Sequence, residues 1–439
     1  MDSGDISWML TASALVLFMT PGLALFYGGL VRGKNVLSIL MQCFWAMAII
    51  TVIWVVIGFS LVFSTPLNGD GVVSGIWLWI GDVNFFVLKD IEFEPGFMIG
   101  VIFQLMFAII TPALIIGAFA ERLKFSAYTW FIGLWSLIVY VPIAHWVWGG
   151  GWLSADGPFP ALDFAGGAVI HVNAGIAALV AAIVVGKRIG WPQRAIPPHN
   201  LTYTLIGAGI LWFGWFGFNA GSAGEASPLA VNAFLVTQIS AATSAMFWAL
   251  TEWVRDGKPT TLGVASGAIA GLVGITPAAG FVGVGGALAI GLVCGIVCYL
   301  LVGLKARFGY DDSLDVVAVH GGGGIIGAVL TGVFAVELIG GVPGAIEGNP
   351  GQIVNQLIAI AAVIVWSGIW TFIIFKVLDA IIGIRVSPEE EEEGLDLTEH
   401  AESGYAFLEV SSTVSSDIGA STPTSSASGF TRESESENT

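Results

Sequence analysis

Two histidines stand in apolar surroundings at the same spacing from an acid. His171 follows Asp163 by eight positions in DFAGGAVIHVNAG, and His320 follows Asp312 by eight in DDSLDVVAVHGGGG. Four residues beyond each histidine comes a glycine, Gly175 and Gly324. On a helix that glycine shares the histidine's face and lets a second backbone come close. An ionisable side chain at membrane depth is costly and marks a substrate or proton path by default. The plain structural alternative is a buried neutral histidine bonded to a carbonyl or an acid, but recurrence at matching places in two halves of the chain favours one shared site. Two neutral imidazoles that face each other can pass a hydrogen bond from ring to ring, and together they offer a donor and an acceptor to a small polar solute.

The acids open the helices that carry those histidines, where a carboxylate can cap amino-terminal N–H groups. Capping is the role expected of Asp312 and Asp315. Asp163, just inside the outer mouth, is expected to favour an arriving cation as well, by direct contact or by orienting backbone carbonyls. Three aromatic stretches border that mouth: Phe107 in QLMFAIITPALIIGAFAER, Trp148 in HWVWGGGW, and Trp215, Phe218 and Ser222 in WFGFNAGSAG. Tryptophan at a membrane interface is ordinarily an anchor, and 17 tryptophans make coincidence easy. A cup of aromatic faces with a hydroxyl is equally what a small hydrated cation needs, each cation–π contact being worth about 0.5–2 kcal/mol. The residues alone leave both readings open.

The elements that position these groups must be membrane helices. With 56% hydrophobic residues, 11% charged residues and 59 glycines, and a mean hydropathy of +0.85, the chain exceeds what a soluble core uses. Its 439 residues fit one integral bundle better than several soluble domains. Eleven apolar segments of spanning length are expected, at about 8–31, 36–64, 96–119, 126–149, 165–186, 201–219, 228–254, 261–280, 281–303, 316–340 and 351–384. Basic residues follow the odd-numbered segments: Arg32 and Lys34, Arg122 and Lys124, Lys187, Arg188 and Arg194, Arg255 and Lys258, Lys305 and Arg307, then Arg385. The positive-inside rule therefore puts the amino terminus outside and the carboxyl terminus in the cytoplasm. MDSGDISW has acids where a secretory signal carries Lys or Arg, so the first span is expected to be retained.

Five spans in each of two repeats, about 8–186 and 201–340, force the second repeat to be inverted relative to the first. The fold expected is thus all-α and integral to the membrane, eleven helices with an inverted five-helix pseudo-repeat and one long extra helix at about 351–384. Residues 1–386 are expected to form the membrane domain, 387–410 a cytoplasmic tail, and 411–439 a Ser/Thr-rich acidic extension without fixed structure. Of the net charge of −17, the stretch from Ser387 onward holds −12, thirteen acids against Arg432, which leaves −5 for the membrane part. Cys43, Cys294 and Cys298 fall in apolar runs and support neither a disulfide framework nor a metal site.

The motifs DFAGGAVIHVNAG, AERLKFS, AHWVWGGGW, GWFGFNAGSA, ITPAAGFVG and DDSLDVVAVHG occur in that order between about residues 6 and 408. In this they resemble the ammonium transporter family, the Amt/Mep/Rh group, of the prokaryotic Amt type. The resemblance implies an eleven-helix homotrimer with one pore per subunit. It implies that Phe107, Trp148 and Ser222 recruit ammonium, or its analogue methylammonium, with Asp163 shaping the site. Phe107 and Phe218 would stack as a gate with Trp215 on the wall, and His171 and His320 would line the pore. It also likens GIRVSPEEEEEGLDLTEHAESGYAF to a regulatory tail that meets PII signalling proteins at the cytoplasmic face. Membrane lipid is the surrounding partner. No enzyme activity, cofactor, metal or nucleic acid is expected. A water channel would want paired Asn-Pro-Ala repeats, which the sequence lacks. A metal-dependent membrane enzyme would want further ligands at depth, and a sensor would want a larger added domain.

Overall fold

The computed structural model describes residues 1–66, 73–89, 91 and 94–405, so the extension at 411–439 lies outside the described residues. Among them the architecture is helical throughout, with a single isolated β-bridge between Leu123 and Arg385. The long helices are α1 Ser3–Leu30, α2 Gly33–Phe63, α3 Pro95–Phe119, α4 Phe125–Trp148, α5 Gly167–Val185, α6 Leu201–Gly221, α7 Pro228–Asp256, α9 Val284–Phe308, α10 Val317–Phe334 and α11 Gly351–Ile382. These ten are long and apolar enough to cross a membrane, whereas α8, Thr261–Ile275, is shorter. Two small helices, α12 Pro388–Glu393 and α13 Leu395–His400, follow α11.

Local chemistry sets the helix starts. Asp2 and Asp5 form a capping box on α1, the Asn200 side chain accepts the Tyr203 amide at α6, and Ser227 caps α7 with Pro228 in its first turn. The expected junction of the eighth and ninth segments is where structure and sequence differ most. The two segments were expected to abut at residue 281, but α8 stops at Ile275 and α9 starts at Val284. Pro277 has no N–H to continue a helical ladder, and a turn through Ala278 and Phe281 takes its place. The tenth segment likewise ends at Phe334, with Glu337–Gly340 as a separate turn.

Helices α1 and α6 pack along each other, and α7, α8 and α9 pack as a second group. Small residues make the close crossings, since lipid tails supply no hydrophobic drive between helices. The decisive one joins α5 to α10. A Cβ at Gly175 would collide with the backbone of Gly321, and one at Gly324 would meet the Gly167 carbonyl and the His171 side chain. The exterior carries exposed Val52, Val231, Val254 and Ile381, as a lipid-solvated surface allows.

At the end of the bundle that holds most basic residues, a charge cluster locks the helix ends together. The Glu121 carboxylate accepts from the Arg32 backbone and side chain, from Asn35 and from Arg188, and Arg188 is bidentate on Asp311. Burial opposes ionisation of both acids, but the Arg32 and Arg188 guanidiniums beside Glu121, and Arg188 beside Asp311, more than offset it and hold both carboxyls below the usual range. Arg122 is buried with its guanidinium on the carbonyls of Ala118, Ala120, Gly186 and Asp311. Leu395 is buried where the tail meets the bundle, but acids do most of the seating. Asp396 accepts the Ser38 amide at the start of α2, Glu399 accepts the Phe125 amide at the start of α4, and Glu391 accepts the Ile189 amide and pairs with Arg385. Each uses a carboxylate where backbone amides lack partners.

Candidate functional site

His171 and His320 each lie in a widened π turn that opens a helix, Gly167–Val172 leading into α5 and Val317–Gly322 leading into α10. Such turns interrupt the regular ladder and concentrate at functional sites. The glycine-mediated crossing brings the rings together, Nδ1 to Nδ1 at 3.2 Å, with centroids 5.3 Å apart and planes 23° from parallel. At that distance one Nδ1 donates and the other accepts. Both side chains are buried, and Nε2 of His171 has no protein partner.

Asp163 shows why the first helix starts where it does. Its carboxylate accepts from the amides of Gly166 (2.9 Å), Gly167 (2.5 Å), Ala168 (2.8 Å) and Val169 (3.1 Å). One side chain therefore meets the four N–H groups that every helix start leaves open. Gly166 takes φ +112°, a backbone region that side chains disfavour, so that the chain can turn back over the carboxylate. The carboxylate thus faces the helix and not the cavity. The Asp163 backbone carbonyl accepts the indole N–H of Trp148 at 2.9 Å. Asp312 caps as expected, on the Val317 amide at 2.8 Å. Asp315 does not cap; its carboxylate pairs with Lys305 at 2.5 Å, and its φ of +64° turns the chain there.

Around the histidines three spaces lie in series. A cavity of about 520 Å³ at the aromatic end is lined by Phe103, Gln104, Phe107, Trp148 and Ser222 among others. Its floor is Phe107, whose ring meets Phe218 edge to face, centroids 4.5 Å apart and planes at 70°. Below lies a narrow passage walled by Met19, Leu23, Phe26, Ile110, Leu114, Leu211, Trp215 and Phe218, with the two histidines as its polar groups. It holds about 10 Å³, the lower limit for one water molecule. Phe26, Ile269 and His320 also line a cavity of about 400 Å³ at the basic end, together with Tyr27, Arg188, Lys305 and Asp315. Trp215 lies nearly parallel to His171, centroids 5.5 Å apart, and its N–H donates to Thr276.

The structure thus brings Phe107, Trp148 and Ser222 to one cavity, and Phe218, Trp215, His171 and His320 to the next. Sequence reasoning missed Thr276, which fixes the indole, and Gln104, whose buried Oε1 has no partner at the wall of the aromatic-end cavity. Gln104 precedes Phe107 by three positions on α3, and that spacing was a usable signal. It also missed the Glu121–Arg188–Asp311 cluster, whose parts stand far apart in the chain.

The model of the Ammonium Transporter Family matches residues 7–405. An ammonium transporter of Aquifex aeolicus is 48% identical over 92% of this chain and 94% of its own length. The ammonium transporter Amt1 of Archaeoglobus fulgidus is 45% identical over 92% of this chain and all of its own. The crystal structure of Saccharomyces cerevisiae Mep2 superposes with a TM-score of 0.80 at 37% identity, over 89% of this chain and 88% of the other. On these grounds the chain belongs to the ammonium transporter family, a family of multi-pass membrane transporters and not of enzymes.

Proposed function

We propose that the protein recruits NH4+ in the aromatic-end cavity, separates it from its proton at the phenylalanine floor, and conducts NH3, with or without that proton, through the histidine-lined passage. The carrying observation is that the two imidazoles face each other at 3.2 Å inside a passage otherwise walled by apolar side chains. Moving a full charge through such a lining costs several kcal/mol or more, while neutral ammonia, a donor and an acceptor, suits a pair that offers both. Trp148 and Phe107 supply ring faces to the cation and Ser222 a hydroxyl. Asp163 acts through its hold on Trp148 and on the start of α5. Phe107 and Phe218 form the gate with Trp215 on the wall, and Asp312 and Asp315 are structural.

The same reading takes α8 as the eighth crossing. It gives eleven spans, an inverted pair of five-helix repeats ending in α5 and α10, and α11 outside them. The basic end is then cytoplasmic and the aromatic end external, in a cell membrane. Residues 1–386 form the transport domain and 387–410 a regulatory tail. Assembly as a homotrimer, lipid contact and a PII partner at the cytoplasmic face belong to this proposal.

Purified protein in proteoliposomes tests it through ammonium-evoked current and methylammonium flux measured together. Replacing both His171 and His320 with alanine abolishes selective current if the imidazoles relay the proton. Undiminished, ammonium-selective current in the double variant removes the relay, and a wild type without flux removes the function.

A further inference from the structure

The stretch that leads into α5 lies outside the helices, yet Leu162 and Asp163 in it are buried. It carries the Asp163 carbonyl on which the Trp148 indole hangs. Buried backbone without a helical ladder must find its partners elsewhere. Ala161 donates to the Leu153 carbonyl and Phe164 to that of Pro277. Leu162, next to Asp163, gives both its N–H and its carbonyl to a single side chain, Gln356 of α11.

Gln356 serves that residue as a neighbouring strand would. Its Oε1 accepts the Leu162 amide at 2.6 Å, and its Nε2 donates to the Leu162 carbonyl at 2.8 Å. The second Nε2 hydrogen goes to the Ala328 carbonyl of α10 at 3.0 Å, and Oε1 also accepts from Nε2 of Gln352 at 3.2 Å. Every donor and acceptor site of the carboxamide is therefore used, and the backbone partners dictate which end is nitrogen. Gln352 stands one turn earlier on the same face of α11 and gives its other hydrogen to the Pro160 carbonyl at 2.9 Å. Both glutamines are buried. Gly332 lets the helices meet here, since a Cβ on it would press on the Gln356 side chain and the Gln352 carbonyl. One carboxamide thus joins α11, the stretch that presents Asp163, and α10, the helix of His320. Glutamate has the same shape, but its carboxylate would turn an oxygen on two carbonyls; leucine fills the space and bonds to nothing.

We propose that Gln356, backed by Gln352, is a positioning residue: by clamping Leu162 it sets the Asp163 carbonyl, and through it the Trp148 indole, for cation capture. Its effect on capture rests on the function proposed above; its hold on Trp148 does not. The test uses the full chain labelled with fluorotryptophan, the Trp148 fluorine signal being assigned by its loss in Trp148→Phe. Gln356→Leu removes all four bonds and shifts that signal. The control is Thr371→Val, which takes the acceptor from the Trp135 indole elsewhere on α11. It costs stability and leaves the Trp148 signal in place. In proteoliposomes the methylammonium KM of Gln356→Leu and of Gln356→Glu rises several-fold with the maximal rate per folded protein little changed. A merely structural loss, as in Thr371→Val, lowers the maximal rate at unchanged KM. Should Gln356→Leu not fold, Gln352→Leu, which frees only Pro160 and one bond to Gln356, gives the same changes at smaller size. An unmoved Trp148 signal overturns the positioning, and an unchanged KM overturns its bearing on capture. A wild type without uptake refutes the transport function instead and leaves the fluorine signal to decide the positioning.

Discussion

Replacing Asp163 with asparagine asks whether one carboxylate holds the twin-histidine helix in place. Its two oxygens accept all four leading amides of α5, at 2.5 to 3.1 Å. With every acceptor position taken there is no room for a proton on either oxygen, so this geometry belongs to the ionised form. Burial pushes the Asp163 carboxyl above the usual range, and the four amides offset only part of that push. Asparagine keeps the shape and one acceptor, but its NH2 group meets two amides donor to donor. Two buried N–H groups left unpaired at about 1–3 kcal/mol each, with the lost charge–dipole attraction, give an expected destabilisation of about 3–6 kcal/mol. Asp312→Asn is the control on the matching helix, because Asp312 accepts the Val317 amide while its Oδ1 has no partner. At about pH 4, where the Asp312 carboxyl is protonated, the cost of this variant is expected to stay within about 1 kcal/mol. Denaturant titration in detergent, read by tryptophan fluorescence, measures both, and proteoliposome uptake reports whether Trp148 and His171 keep their geometry. Equal losses in the two variants, or Asp163→Asn with native stability and uptake, would refute the reasoning.

Two further outcomes follow from charges at the basic end. Burial pushes the Asp312 carboxyl up to about 6, and the neighbouring Asp315 adds to this against the pull of Lys305. A carboxyl raised on folding contributes stability that is complete below its unfolded value and is lost as pH rises through about 6. Wild-type stability should therefore fall relative to Asp312→Asn by up to about 3 kcal/mol between about pH 4 and 7, measured by denaturant titration across pH. Glu121 has the opposite sign. Its depressed carboxyl contributes stability that is present above the unfolded value and lost as pH falls through the folded one. Glu121→Gln turns an NH2 group toward a guanidinium and should cost about 3 kcal/mol near neutrality, the low end for a broken buried pair because Arg32 is 26% exposed. The difference should shrink in acid, and a loss independent of pH would assign the cost to packing instead.

What was legible in the sequence was what periodicity and local spacing carry. The long helices, the two matched histidine stretches and the close approach at Gly175 and Gly324 could be read because each depends on residues near one another in the chain. The end of α8 could not, since TPAAGFVG is as apolar as its flanks and only Pro277 marks the break. Asp163 was expected to face a cation because its place near the mouth was visible, whereas the four amides it would satisfy depend on Gly166 turning the backbone at φ +112°. Asp315 was expected to cap because it precedes a helix, but its carboxylate accepts from Lys305 instead. The cluster of Glu121, Arg188 and Asp311 joins residues up to 190 positions apart, and no local pattern reports such a meeting.

These arrangements share one logic. Several polar groups near the passage are satisfied away from it: Asp163 places its charge on helix amides, and Trp215 donates to Thr276. The histidines stand apart from this pattern. They bond to each other, and Nε2 of His171 is left without a protein partner, buried in the passage wall. A buried ring nitrogen left open is costly unless something arrives to meet it. On the proposed reading ammonia is that partner, and among the described residues lining the passage the imidazole pair is where a hydrogen-bonding solute need not travel bare.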